Sequence, residues 1–152
     1  MIHVAATFRI AEPQGRKEFQ QSMELRWKVL RAPWGQPRGT EQDDLEPQAY
    51  HRVAKLDDGT VIGTARAHFL DKTHLKAQIR YMAVDPRFQG LGIGADLLQS
   101  LEQNLRMIGC KEVVLQARNE VLPFYMKQGY RLEKPGHTLY GNILHSYMVK
   151  VL

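Results

Sequence analysis

The 152-residue sequence contains only one cysteine, Cys110, and this shortage excludes an internal disulfide framework. Its position in the segment IGCKEV, just before a predicted strand, favours a small buried thiol over a nucleophile. No apolar run approaches the roughly 20 residues that a membrane span needs. The first residues, MIHVAATFRIAEP, lack the basic leader and the apolar core of a signal peptide. We therefore expect a soluble protein of the reducing cytoplasm with no membrane partner.

Basic tracts are also absent from the sequence. The formal net charge is +5, but lysine and arginine are scattered, and no zinc-finger spacing of cysteine and histidine occurs. A nucleic-acid partner is therefore not expected, whereas the mild positive charge suits an anionic ligand. The hydrophobic content of 43% is enough for one core, so we expect residues 1–152 to form a single domain.

Hydrophobic periodicity predicts strands and helices without internal repeats or linkers. Helices are predicted at residues 16–31, directly after residue 94, and at residues 121–128. Strands are predicted at residues 3–10, 51–56, 60–70, 76–84, 112–117, 131–134 and 143–152. Residues 33–49 hold three prolines and two glycines and are predicted to be a long irregular loop, a kind of segment that is often functional. Strand–helix–strand units imply parallel pairing and hairpins imply antiparallel pairing, which predicts an α/β (α+β) protein with a mixed sheet and helices on both faces.

Three glycines alternate in residues 89–94, QGLGIG, between a predicted strand and a predicted helix. Glycine is favoured where the backbone needs a positive φ or where another group approaches closely. Successive N–H groups beside a helix N-terminus form an anion site, so a phosphate ligand is predicted, with a tight packing turn as the alternative. A Rossmann site would require an acidic residue about 20 residues further on, at the end of the next strand, and that strand, VVLQAR, ends without one. A nucleotide phosphate loop would require Gly-Lys-Ser/Thr, but Gly94 is followed by Ala95 and Asp96.

The turn matches the acetyl-CoA signature Gln/Arg-x-x-Gly-x-Gly/Ala of the GNAT acetyltransferase superfamily through Gln89, Gly92 and Gly94. The preceding YMAVDPRFQG and the following LLQSLEQNLRMIGCKEVVLQA resemble the family's strand, turn, helix and next strand. The segment NEVLPFYMKQGYRL resembles the family's second motif, and the order of elements matches along nearly the whole chain. The resemblance implies a single GNAT-like domain with a mixed, mostly antiparallel sheet.

Two further segments resemble a branch of small, poorly characterised bacterial members of this superfamily. The first is Arg26-x-x-Val29-Leu30-Arg31 with the loop that follows it, and the second is the late segment ILHSYM at residues 143–148.

The resemblance implies an acetyl-CoA co-substrate and no metal. The backbone of residues 89–95 would bind the pyrophosphate, and the pantetheine arm would lie along residues 82–84 like an added strand. A backbone N–H at the end of that strand would polarise the thioester carbonyl. Tyr125 would be the general acid that protonates the leaving thiolate, with packing against the arm as the alternative role. The cofactor-binding residues predicted in this way are Met82, Ala83, Val84, Gln89, Gly90, Leu91, Gly92, Ile93, Gly94, Ala95, Asn119, Phe124, Tyr125 and Lys127.

The acceptor implied by the resemblance is a primary amine of a small molecule or peptide, which attacks the thioester directly in a ternary complex. An alkylamine has a pKa near 10 and must first lose a proton. The strand KAQIRYMAV lacks the glutamate that some members carry, so the base stays open between Glu41, His68, His145 and a water relay.

The loop that contains Glu41, Asp43, Asp44 and Glu46 is predicted to present a solvated acidic face, with recognition of a cationic acceptor by one or two of these carboxylates as the alternative. The use of acyl groups longer than acetyl also stays open, and the sequence is compatible with a homodimer. The alternative function is a non-catalytic acyl-CoA-binding sensor or subunit.

Overall fold

The computed structural model describes residues 7–152, and its elements follow the predicted order. The strands are β1 (Phe8–Ala11), β2 (Tyr50–Leu56), β3 (Val61–Phe69), β4 (Lys76–Val84), β5 (Glu112–Arg118), β6 (Arg131–Leu139) and β7 (Ile143–Val151). The helices are α1 (Gly15–Arg26), which continues as a π-helical turn (Trp27–Arg31), α2 (Ile93–Ile108) and α3 (Leu122–Lys127). Short 3₁₀ turns cover Ala32–Trp34, Glu46–Gln48, Pro86–Phe88 and Asn119–Val121. The part of the predicted first strand before residue 7 lies outside the described residues.

The seven strands form one sheet in the order β1-β2-β3-β4-β5-β7-β6. The pairs β1/β2, β5/β7 and β6/β7 are antiparallel. The pair β4/β5 is parallel, with register from Lys76↔Glu112 to Gln78↔Val114, and α2 is the crossover that a parallel connection requires. The prediction of a mixed, mostly antiparallel sheet is confirmed.

The first compact unit comprises the described residues up to Arg66 together with Tyr81–Leu101. Successive residues of a strand point to opposite faces of the sheet. On β3, Gly63 faces α2 so closely that an added Cβ would lie 2.7 Å from Ile93 Cγ2. The next residue, Thr64, faces α1 through a hydrogen bond of 2.5 Å with Ser22. Helices therefore cover both faces of the sheet in this unit, as predicted.

The second compact unit comprises Ala67–Arg80 and Glu102–Leu152. Strand β5 is buried through Val113, Val114 and Leu115, in agreement with its predicted central position. Cys110 is buried, and its Sγ lies 3.3 Å from the carbonyl oxygen of Glu112, which agrees with a structural thiol.

Strand β6 is longer than predicted, because it continues through the PGHTL segment to Leu139. Pro135 lacks the N–H group that a central strand donates, and the sequence pattern therefore predicts an end near residue 134. The pairing with β7 absorbs Pro135 by register shifts between Leu132 and Lys134 and between Pro135 and Thr138. Since β6 is the last strand in the sheet order, its Pro is tolerated as on other edge strands.

Candidate active site

The glycine turn between β4 and α2 has the backbone that its sequence predicts at two of three positions. Gly90 and Gly92 have φ values of 80° and 81°, in the left-handed region that side chains disfavour. A Cβ added at either position would meet nothing within 4 Å, so conformation rather than packing requires glycine there. Gly94 instead lies in the first turn of α2. The turn residues from Gln89 to Gly92 are exposed, which leaves their backbone accessible to a ligand.

The strand before this turn contains a strained residue that the sequence does not reveal. Tyr81 has a φ of 58° and lies three residues beyond Gln78, where the register with β5 ends. A bulky residue held in the left-handed region costs on the order of 1–3 kcal/mol and is found preferentially at functional sites. Tyr81 directly precedes the predicted cofactor residues Met82, Ala83 and Val84. Of these, Ala83 is buried and the other two are partly exposed.

Three guanidinium groups surround the Tyr81 ring. The Cζ atoms of Arg26, Arg66 and Arg31 lie 4.7, 5.0 and 5.7 Å from its centroid. Arg26 and Arg66 are fully buried, and both donate to Glu46 Oε2, at 2.9 and 2.8 Å. Burial lowers the pKa of Arg26, while the carboxylate of Glu46 opposes this shift. We call Arg26, Arg31, Glu46, Arg66 and Tyr81 the buried arginine cluster.

The long loop of residues 33–49 is ordered because side chains of α1 and the π-helical turn bind its backbone. Trp27 Nε1 donates to the carbonyl oxygen of Gln36 at 3.0 Å. Arg31 Nε donates to the carbonyl of Thr40 at 2.9 Å, and Arg26 Nη1 donates to the carbonyl of Glu41 at 3.2 Å. These three hydrogen bonds hold the backbone of the loop in one position against α1 and the π-helical turn.

The acidic residues of this loop serve mainly inside the protein. Glu41 is 5% exposed, and its Oε2 accepts a hydrogen bond of 2.7 Å from the backbone N–H of Gly39. Asp43 makes a two-pronged ion pair with Arg66, at 2.6 and 3.1 Å. Asp44, by contrast, is exposed. Glu41 and Asp43 therefore bind groups inside the protein, and Asp44 is the carboxylate of this loop that faces solvent.

Part of this loop lines a pocket of about 560 Å³. Its lining residues are Phe19, Gln42, Asp43, Asp44, Glu46, Pro47, Ala49 and His51. His51 Nε2 lies 2.8 Å from the carbonyl oxygen of Glu46, and because a carbonyl only accepts, Nε2 carries the proton. Burial is the main cause that lowers the pKa of His51, and the nearby Arg26 adds to it. His51 is therefore a neutral imidazole at physiological pH. The hydrophobic periodicity of the sequence does not indicate that His51 lines this pocket.

The second motif lies in the second compact unit. Asn119 Oδ1 accepts a hydrogen bond of 2.7 Å from Ser146. On α3, Phe124 and Tyr125 are in edge-to-face contact with centroids 5.0 Å apart, and Lys127 is the exposed last residue of the helix. Burial raises the pKa of Tyr125 to about 12. Its phenol is therefore protonated at physiological pH and can act as a donor but not as a base.

Two histidines, His68 and His145, are predicted as candidate bases, and both are in contact with the protein interior or its backbone. His68 is buried on β3. His145 Nδ1 lies 3.0 Å from the carbonyl of Ile143, and its ring is 4.2 Å from that of His137. Burial lowers the pKa of His145, which keeps this imidazole neutral as well.

The described residues 7–152 contain no group of three or more His, Cys, Asp or Glu side chains that could hold a metal ion. No helix in the same range has the length and apolar character needed to cross a membrane.

Comparison with known proteins matches residues 19–130 to the Acetyltransferase (GNAT) family. The uncharacterized N-acetyltransferase YjcF of Bacillus subtilis (strain 168) is 24% identical over 137 residues, which cover 90% of this chain and 95% of that relative. The glucosamine 6-phosphate N-acetyltransferase of Trypanosoma brucei brucei is 32% identical over 77 residues, 48% of this chain, and the match spans only 52% of that relative.

Solved structures share the fold. A GNAT-family acetyltransferase from Staphylococcus aureus Mu50 superposes with a TM-score of 0.78 at 18% identity, covering 96% of this chain and 99% of the other. An aminoglycoside 6'-N-acetyltransferase complexed with coenzyme A superposes with a TM-score of 0.77 at 15% identity, covering 94% and 96%. The chain belongs to the GNAT acetyltransferase family. It is accordingly an acyltransferase enzyme.

Proposed function

We propose that this enzyme transfers the acetyl group of acetyl-CoA to a primary amine, by direct attack of the amine on the thioester in a ternary complex. The observation that carries the proposal is the pair of left-handed, exposed glycines, Gly90 and Gly92, immediately before α2 in a GNAT chain. The complex of a related fold with coenzyme A supports an acyl-CoA ligand.

The glycine turn is assigned to the pyrophosphate. The N–H groups of residues 89–95 and the N-terminal end of α2 provide donors and positive potential without a charged side chain. Residues 82–84 are assigned to the amides of the pantetheine arm by strand addition. Asn119, Phe124 and Lys127 are assigned further cofactor contacts.

Tyr125 is assigned the role of proton donor to the leaving sulfur. When the amine attacks, the thioester carbon becomes tetrahedral, its oxygen gains charge that a backbone N–H stabilises, and the C–S bond then breaks. The CoA sulfur leaves with the electron pair of that bond and must gain a proton. Because burial raises the pKa of Tyr125, its phenol carries this proton throughout the physiological range.

For deprotonation of the acceptor we favour a water relay. Glu41 is buried and accepts from the backbone of Gly39, and His68 is buried on β3. His145 is half-buried, and its Nδ1 lies against a backbone carbonyl. The acceptor is assigned a positive charge that lies near Asp44, the exposed carboxylate of the pocket. Replacing this carboxylate by a neutral amide in Asp44→Asn should raise the KM for the acceptor and leave the KM for acetyl-CoA constant.

The proposal is tested by free-thiol release from acetyl-CoA with polyamines, amino acids, aminoglycosides and peptide N-termini as acceptors, together with mass spectrometry of the products. The variant Tyr125→Phe keeps the ring and removes the proton donor, so kcat should fall by about 10²–10⁴-fold with little change in acetyl-CoA affinity. Tyr147→Phe, a strand tyrosine outside the proposed site, is the matched control. Tight acetyl-CoA binding without thiol release for any amine would instead support the non-catalytic acyl-CoA-binding alternative.

A further inference from the structure

Glu102 of α2 is a buried carboxylate for which the proposed reaction has no use. It is 2% exposed, and both of its oxygens are engaged. Oε2 accepts from the phenol of Tyr130 at 2.8 Å, and Oε1 accepts from Lys150 Nζ at 2.7 Å. Taking a carboxylate out of water is strongly unfavourable unless its partners are well placed. Such an arrangement calls for an explanation beyond chain packing.

Lys150 connects this carboxylate to the end of α3. Its Nζ also donates to the carbonyl oxygen of Gln128 at 2.8 Å. The stem of Lys150 passes Gly129 so closely that an added Cβ there would lie 3.2 Å from Lys150 Cε, and Gly129 has a φ of 96°. The ammonium group therefore holds Glu102 and the carboxyl end of α3 together.

Tyr130 connects the same carboxylate to Tyr125 in two ways. Its backbone N–H donates to the carbonyl oxygen of Tyr125 at 3.0 Å. Its ring meets the ring of Tyr125 edge to face, with centroids 5.9 Å apart and an interplanar angle of 82°. The phenol of Tyr130 is committed to Glu102, and burial beside that carboxylate strongly raises the pKa of Tyr130. Tyr130 thus fixes the position of its neighbour without competing as an acid.

We infer that Glu102, Tyr130 and Lys150 are positioning residues for acetyl transfer, because they fix the ring and backbone of Tyr125 in the geometry from which it donates its proton. The inference rests on the proposed role of Tyr125. A displacement of a reacting group by about 1 Å can cost on the order of 100-fold in rate. Loosening this network should therefore lower the rate of the chemical step more than it lowers acetyl-CoA affinity.

Two conservative variants test the inference in the full-length protein. Tyr130→Phe keeps the ring and removes the hydrogen bond to Glu102, and Lys150→Met keeps the stem and removes the ammonium. Each should lower the single-turnover rate by about 10–100-fold, with acetyl-CoA affinity measured by calorimetry within about twofold of wild type. Lys134→Met, which removes an exposed lysine of β6, is the matched control and should leave the rate unchanged.

The decisive readout is non-additivity with Tyr125→Phe. If the network acts through Tyr125, Tyr130→Phe should cause little further loss in the Tyr125→Phe background. An equal fold loss in both backgrounds, or no loss from Tyr130→Phe in the wild-type background, would overturn the inference.

A spectroscopic readout separates the inference from the proposed role of Tyr125. With 3-fluorotyrosine at position 125, the ¹⁹F resonance should shift or broaden in Lys150→Met if the network positions that ring. An unchanged resonance would overturn the positioning role even where Tyr125→Phe is inactive. A full single-turnover rate in Tyr125→Phe would instead overturn the proposed function, and with it the catalytic part of the inference.

Discussion

Replacing Gly92 by alanine separates the backbone requirement of the glycine turn from its proposed role in binding. Gly92 has a φ of 81°, and a Cβ there meets nothing within 4 Å, so the substitution creates no clash within the described structure. The left-handed conformation alone costs an alanine about 1–2 kcal/mol. In a protein of this size that cost lowers Tm by about 2–8 °C.

The binding loss should be larger than the stability loss implies. The turn is exposed, and the added methyl group would project into open space at the backbone that we assign to the pyrophosphate. We expect the Kd for acetyl-CoA to rise more than tenfold, which corresponds to a loss of more than about 1.4 kcal/mol. The measurements are differential scanning calorimetry without ligand and titration calorimetry with acetyl-CoA at a temperature where the variant is folded.

Gly59→Ala is the matched control for this experiment. Gly59 has a φ of 90° and equally open surroundings, but it lies in the turn between β2 and β3. Its replacement should cost a similar amount of stability and leave acetyl-CoA affinity unchanged. Wild-type affinity in a folded Gly92→Ala variant would refute the assignment of the turn to the pyrophosphate, and an equal affinity loss in both variants would show that backbone strain alone is responsible.

Three further predictions concern stability. Gly63→Ala should destabilise the protein by about 1–3 kcal/mol, because its Cβ would lie 2.7 Å from Ile93 Cγ2; in denaturant titrations the double variant Gly63→Ala/Ile93→Ala should lose less than the sum of the single losses. Glu46→Gln should cost about 3–5 kcal/mol in the same assay, because it leaves the buried guanidinium of Arg26 without a carboxylate and that of Arg66 with Asp43 alone. Burial lowers the folded-state pKa of His51, so the unfolded chain binds more protons below about pH 6.5, and stability should fall as pH decreases from 7 to 5. His51→Gln should reduce that slope in Tm measured against pH, and His145, whose pKa is also lowered, should account for part of the remainder.

Each stability prediction has an outcome that contradicts it. If the stability losses of the Gly63 and Ile93 substitutions were strictly additive, the Cβ added at position 63 would not clash with the side chain of Ile93. If Glu46→Gln lowered the free energy of unfolding by less than about 1 kcal/mol, the ion pairs of Glu46 would contribute no more than ordinary surface ion pairs do. An identical pH slope in wild type and His51→Gln would assign the dependence to other groups.

Local pattern determined most of the elements and one half of the candidate site. Strand β4 has its predicted bounds, α2 begins beside the third glycine, and β5 is as buried as its apolar run indicates. These features could be predicted because periodicity and glycine conformation depend on residues within a few positions of one another. The glycine turn belongs to this class, since the left-handed φ of Gly90 and Gly92 is a property of the chain's own geometry.

Only the tertiary structure decided which polar residues are buried and what they hold. The sequence pattern gives no sign that Arg26 differs from an exposed polar residue of a helix. In the structure it is fully buried, because the folded loop brings the carboxylate of Glu46, 20 residues away, into contact with it. Glu102 is likewise buried by partners 28 and 48 residues further on. A carboxylate or guanidinium can leave water only where another segment brings its counter-charge. Such pairs form between segments that are distant in the chain, and for that reason no local pattern records them.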